Sequence, residues 1–232
     1  GRRDQRRLTA DFLPHTPGRT ITYDLTQPSP LGGKPRIMRV LFEQKDRGVV
    51  ETITTHVGTL QAASLFDPEE KNGGWIKSGV VRKVRLPGPS LRHRVGGGFV
   101  YVGTYDTRRS NEAELVWQPA LKIGARTGET WSWSRDNARH EYTVAKFDTY
   151  QGQPSVLVRE TITLGKDPHH PGQIEHLYVK GVGEVERREV LHLTSKEQRP
   201  VSELKLVQDA RPLPDATAPK PAEASAPAAT PG

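Results

Sequence analysis

Short runs in which apolar and polar residues alternate recur along the chain, separated by stretches rich in Gly and Pro. Alternation with a period of two puts successive side chains on opposite faces of an extended strand, so the pattern predicts a β protein. Residues 156–164 show it most plainly: Val156, Val158, Ile162 and Leu164 share one face, and Leu157, Arg159, Thr161 and Thr163 the other. Glu160 falls on the apolar face, where a carboxylate either sits at the rim or needs a buried partner. Similar runs predict strands at 20–23, 36–44, 49–57, 80–86, 99–103, 115–117, 140–150, 174–180 and 182–193, with an edge strand at 204–207. Leu60, Ala62, Ala63 and Leu65 fit a short helix that Asp67 and Pro68 would stop. Lys45, Asp46, Arg47 and Gly48 have hairpin-turn chemistry, and the Pro- and Gly-rich segment 27–35 is a loop. Gly96, Gly97 and Gly98 feed a strand rather than a helix, so they read as a turn or bulge and not as a phosphate-cradling loop. Gly181 and Gly183 read as a bulge or bend between the last two long strands.

The pattern occurs twice. Gly128, Thr130 and Trp133 match Gly18, Thr20 and Tyr23 at an offset of 110. Further along, Gly48 matches Gly152, Asp67-Pro68 matches Asp167-Pro168, and Gly79-Val80 matches Gly181-Val182, with offsets that change only across loops. Duplication followed by loop trimming produces such drift. The expected architecture is all-β and antiparallel, two related halves forming a strongly curved sheet or open barrel with disordered ends. Residues 1–7 read as a flexible basic arm, 8–117 as the first half, 118–208 as the second half of the same compact domain, and 209–232 as a disordered Ala- and Pro-rich tail.

Composition narrows the function classes. A formal charge of +7 invites a nucleic-acid reading. The basic residues, however, are split between Arg2, Arg3, Arg6 and Arg7 and scattered strand positions such as Arg82, Lys83 and Arg85. No recognition helix, zinc-knuckle spacing or paired RNA-binding aromatics accompany them, so a solvated basic surface, or attraction to anionic envelope polymers and lipid heads, is the preferred reading. The absence of Cys rules out disulfides and thiolate sites within this sequence. No apolar run is long enough to predict a membrane-spanning helix. The start at Gly1 fits removal of an upstream segment, such as a signal peptide or the acylated cysteine end of a lipoprotein.

The segment from Leu121 to Gly124, then Gly128 to Trp133, a hairpin, and finally Tyr178, Gly181, Val182, Gly183 and Val185 resembles a pattern found in uncharacterised bacterial exported proteins and lipoproteins. The resemblance covers residues 119–193, with Ala125, Arg126 and Thr127 inserted between its two leading glycines. It implies a curved antiparallel sheet in an envelope protein, and carries no reaction or catalytic residues with it.

Two clusters are candidate sites. Trp117, Trp131, Trp133 and Tyr178 either line an apolar ligand cleft or fill the core. His169, His170 and His176 form the one histidine cluster and are candidate metal ligands, with Asp167 and Glu175 nearby, although their spacing matches no standard site. Nucleophile-elbow, metalloprotease-helix and phosphate-loop motifs are absent, and no cofactor is expected. The sequence thus favours a non-enzymatic envelope protein that binds an apolar ligand or another envelope component. Its alternatives are a metal-dependent hydrolase centred on His169 to His176, and a structural scaffold.

Overall fold

The computed structural model describes residues 6–26, 36–45, 48–57, 75–85, 98–106, 116–135, 137–165, 167–192 and 198–210. They form a short 3-10 turn at Ala10–Phe12 and twelve strands: β1 Thr20–Thr26, β2 Arg36–Lys45, β3 Gly48–Val57, β4 Trp75–Arg85, β5 Phe99–Asp106, β6 Val116–Lys122, β7 Thr130–Arg135, β8 Ala138–Tyr150, β9 Gln153–Leu164, β10 Asp167–Val179, β11 Gly183–His192 and β12 Gln198–Ala210. All belong to one antiparallel sheet in the order β6-β5-β4-β3-β2-β1-β12-β11-β10-β9-β8-β7. Each half is therefore a six-strand meander, and the two meanders join at the centre, where β1 pairs with β12.

The sheet curls until its outer strands meet. Trp131 Nε1 on β7 donates to the Pro119 carbonyl on β6 at 2.9 Å, and the Gln118 amide on β6 donates to the Tyr142 hydroxyl on β8. These bonds bridge a seam at which no strand ladder is formed among the described residues. The result is an open barrel, the curved form expected of long twisted sheets.

Two apolar clusters fill it. One joins Leu8, Phe12, Val100 and Leu121 to Trp131, Tyr142, Val144, Phe147, Val156 and Val158. The other collects Ile21, Tyr23, Val40, Phe42 and Ile53 of the first meander with Leu204 of β12. The N-terminal segment closes one end of the barrel. Leu8 exchanges backbone hydrogen bonds with Gly124 and Ala125 in the β6–β7 connection, and the Asp11 carbonyl accepts from Gly181 N at 2.7 Å in the β10–β11 turn. Phe12 packs on Phe147, and the Arg6 guanidinium lies over the same ring.

Several expectations change. The strand expected at the sheet edge, 204–207, is the middle of β12, an interior strand that joins the two meanders. Its polar outer face hid its place, because a strand with one solvated face reads like an edge strand. Asp209, assigned to the tail, lies in β12 and pairs with Arg19 at 2.7 Å. Residues 211–232 and the helix expected around Ala62 lie outside the described residues. Arg6, assigned to a free arm, is held against Phe147. The boundary between Trp117 and Gln118 falls inside β6, and the meanders divide instead in the connection 123–129. The strand expected to begin at 174 begins earlier, at Asp167, with a register shift before Gly172. Gly79 lies inside β4 while Gly181 lies in the turn after β10 with φ 75°, so that pair occupies different places.

Candidate functional site

Strand parity points His140 and Tyr142 on β8, Glu160 and Ile162 on β9, and Ile174, His176 and Tyr178 on β10 into the concavity, and Glu184 and Arg187 on β11 face the same space. They surround a cavity of about 270 Å³ that Leu13, Val102, Gln118 and Ala120 close from the other side. A smaller cavity of about 60 Å³ adjoins it through Leu13, Glu51, Glu184 and Arg187.

Glu160 is 4 % exposed and is the hub. Its Oε1 accepts from His140 Nδ1 at 2.6 Å and from the Tyr142 hydroxyl at 3.0 Å. Its Oε2 accepts from His176 Nε2 at 2.9 Å, while His176 Nδ1 donates to Glu184 Oε1 at 2.6 Å. Arg187 then grips Glu184 with Nε at 2.9 Å and Nη2 at 2.6 Å. Ionised carboxylates only accept, so a histidine bonded to one on each ring nitrogen donates from both and is the imidazolium. Glu160, His176, Glu184 and Arg187 thus alternate in sign and sum to zero charge.

The electrostatics follow this arrangement. Burial opposes ionisation of Glu160, but the hydrogen bonds from His140 and His176 outweigh it and bring its carboxyl down to about 2. Burial also works against Glu184, and the Arg187 charge together with the His176 bond holds it far below the ordinary carboxylate value. For His176 burial favours the neutral ring, yet the bonds to Glu160 and Glu184 raise its pKa. Burial, with the Glu160 charge beside it, raises the Tyr142 phenol, and burial with the Glu184 charge raises Tyr178. Both tyrosines stay protonated at neutral pH.

The candidate aromatics separate. Tyr178 lines the cavity and stacks on His176, rings 5.8 Å apart and 10° from parallel. Trp131 is a core residue stacked on Tyr142 at 5.2 Å, and supports the site from behind. Trp133 is half-buried with its ring against His140 at 5.0 Å, and Trp117 is half-buried on β6 opposite Gly103. Of the candidate metal ligands, His176 is engaged by two carboxylates, whereas the side chains of His169 and His170 lie outside the described residues. Among the described residues no group of three or more His, Asp or Glu side chains is arranged to hold a metal ion. Sequence reasoning flagged Glu160 but missed His140, Tyr142 and Arg187; the available signal was their shared inward parity with Glu160 on neighbouring strands.

The second meander differs from the first at matched positions. In each, a glycine of positive φ precedes the first strand and its N–H bonds across to the second: Gly18 to the Phe42 carbonyl at 2.7 Å, Gly128 to the Val144 carbonyl at 2.8 Å. The return bonds, Phe42 N to Arg19 O and Val144 N to Glu129 O, are both 3.0 Å. Stepping two residues back from Phe42 and Val144 sets Val40 against Tyr142, and the strand registers then set Ile53 against Glu160. The same positions are apolar core in one half and hydrogen-bonded polar groups in the other.

Fold and site together define an open antiparallel β-barrel with a polar cavity that holds a charge-balanced network. Two solved structures resemble it. A protein inferred to be exported, with a YmcC-like fold, from Bacteroides fragilis shares 12 % identity at a TM-score of 0.39, covering 86 % of this chain and 99 % of that one. A protein inferred to be a lipoprotein, from Parabacteroides distasonis, shares 10 % identity at a TM-score of 0.36, covering 86 % and 98 %. No protein-family model matches the chain. No curated protein matches it either. No helix among the described residues is long and apolar enough to cross a membrane.

Proposed function

We propose that the chain is a non-enzymatic binding module of the bacterial cell envelope, holding a small polar molecule in its concavity. The observation that carries this is the contrast at matched positions: Val40 and Ile53 fill one half of the barrel, while Tyr142 and Glu160 stand in their places beside an open cavity. Apolar packing satisfies the fold, and burying paired charges instead brings a desolvation cost that packing alone does not require. A polar ligand supplies the reason to retain them. The cavity's polar groups also argue against a purely apolar ligand, which would leave them facing hydrocarbon without hydrogen bonds. The envelope location rests on the sequence resemblance at 119–193. The matched turns at Gly18 and Gly128 support descent of the two halves from a duplicated unit.

Native mass spectrometry of the protein purified from its own host, compared with its denatured mass, tests the reading. An extra mass that leaves on denaturation is expected. Its absence, together with no turnover and no ligand, would favour a scaffold. Metal found by elemental analysis, and lost when both His169 and His170 become Ala, would instead favour the hydrolase.

A further inference from the structure

Glu160 and Glu184 spend their oxygens on the network: each carboxylate oxygen already accepts at least one hydrogen bond. The cations His176 and Arg187 are paired with those same carboxylates. An incoming anion would meet Glu51, Glu160 and Glu184 with both cations committed, and an incoming cation would find no carboxylate oxygen without a partner on Glu160 or Glu184. Neutral hydrogen-bonding capacity, in contrast, remains. Tyr178 is 6 % exposed, lines the cavity, and its hydroxyl makes no hydrogen bond among the described residues. His140 Nε2 and the Gln118 carbonyl oxygen are likewise outside the network's bonds, and Arg187 Nη1 retains its N–H groups. Tyr142 and Tyr178 add aromatic wall, and Ile162 and Ile174 add apolar wall.

From this combination we infer that the cavity takes a neutral polyhydroxylated ligand, a sugar residue, whose hydroxyls meet Tyr178, His140, Gln118 and Arg187 while its C–H surface lies on the aromatic and aliphatic walls. The inference rests on the ligand-binding reading above and names the ligand class. Hydroxyls both donate and accept, which suits a site offering an N–H donor, a carbonyl acceptor and a phenol within one small cavity. Tyr178 discriminates: a buried polar group left unpaired penalises ligands that cannot bond it.

The test uses the full chain and measures affinities by calorimetry and saturation-transfer NMR. The probes are glucose, galactose and N-acetylglucosamine, with glucuronate, glucosamine and decanol as charged and apolar counterparts. At least one neutral sugar is expected to bind at least about tenfold tighter than its charged counterparts, with Tyr178→Phe weakening it roughly tenfold. Because the Tyr178 hydroxyl has no hydrogen-bond partner among the described residues, Tyr178→Phe is expected to melt no lower than the parent, which separates lost binding from lost folding. Tighter binding of glucuronate, glucosamine or decanol would overturn the sugar assignment and leave the ligand-binding reading standing. If no probe binds, the species carried by host-purified protein decides: a glycan mass supports the assignment, another species overturns it alone, and an empty protein overturns both.

Discussion

Replacing Glu160 by Gln is expected to cost about 3–5 kcal/mol of stability, because it strips a buried imidazolium of one of its two carboxylates. Urea denaturation reads this directly; a loss below 1 kcal/mol would mean that the network is loosely held. The same groups set the pH dependence. Glu160 and Glu184 have folded pKa values below the ordinary 4.5, so their stabilisation is complete above that value and is lost as pH falls from about 4.5 towards 2. His176 has a folded pKa above the ordinary 6.5, so its stabilisation is present below 6.5 and is lost as pH rises through the folded value. Stability should therefore peak between roughly pH 5 and 6.5, and His176→Gln should flatten the alkaline limb of a plot of urea midpoint against pH. A wild-type midpoint that climbs steadily from pH 6 to 8 would contradict the imidazolium assignment. At this scale the sequence exposed Glu160 as an oddity, since a carboxylate on an apolar strand face is visible in one run of residues. Its partners were not visible, because each lies on another strand and is joined to it only by the registers.

The β8–β9 hairpin turns through Gln151 at φ 50° and Gly152 at φ 79°, two left-handed residues in succession. Glycine enters that region freely, but a glutamine there carries strain, whereas asparagine tolerates it. Gln151→Asn is expected to raise stability by about 1 kcal/mol, measurable as a shift in the urea midpoint. The closing segment at the barrel's end makes a second prediction for one element. Phe12→Ala should cost about 3–5 kcal/mol, because Phe12 is 4 % exposed and fills the cluster shared by both meanders. A loss under 1 kcal/mol would show that the segment is not part of the folded core. Strands with strict alternation and clear turns, such as β8 and β9, were legible element by element. The 3-10 turn at Ala10–Phe12 was not: a single turn has no period to detect, and it is fixed by the bonds of Leu8 and Asp11 to distant turns.

The central pairing of β1 with β12 makes the last strand essential to the first, and the Arg19 bonds to Asp209 and to the Val182 carbonyl lock that junction. Residues 126–210 alone are expected to remain unfolded, since their core lacks Leu8, Phe12, Val100 and Leu121; a dispersed amide NMR spectrum from that fragment would overturn this. The sequence by itself determined the β class and the antiparallel hairpins, because period-two alternation and turn residues are local properties, while the curved form was what the resemblance implied. It also marked the corresponding glycines at Gly18 and Gly128, whose positive φ few other residues adopt. Only the tertiary structure decided that β12 is interior, that the N-terminal segment closes one end, and that His140, Tyr142, Glu160, His176, Glu184 and Arg187 form one network. Those outcomes depend on which strands become neighbours and in what register, and neither leaves a periodic trace within any one strand.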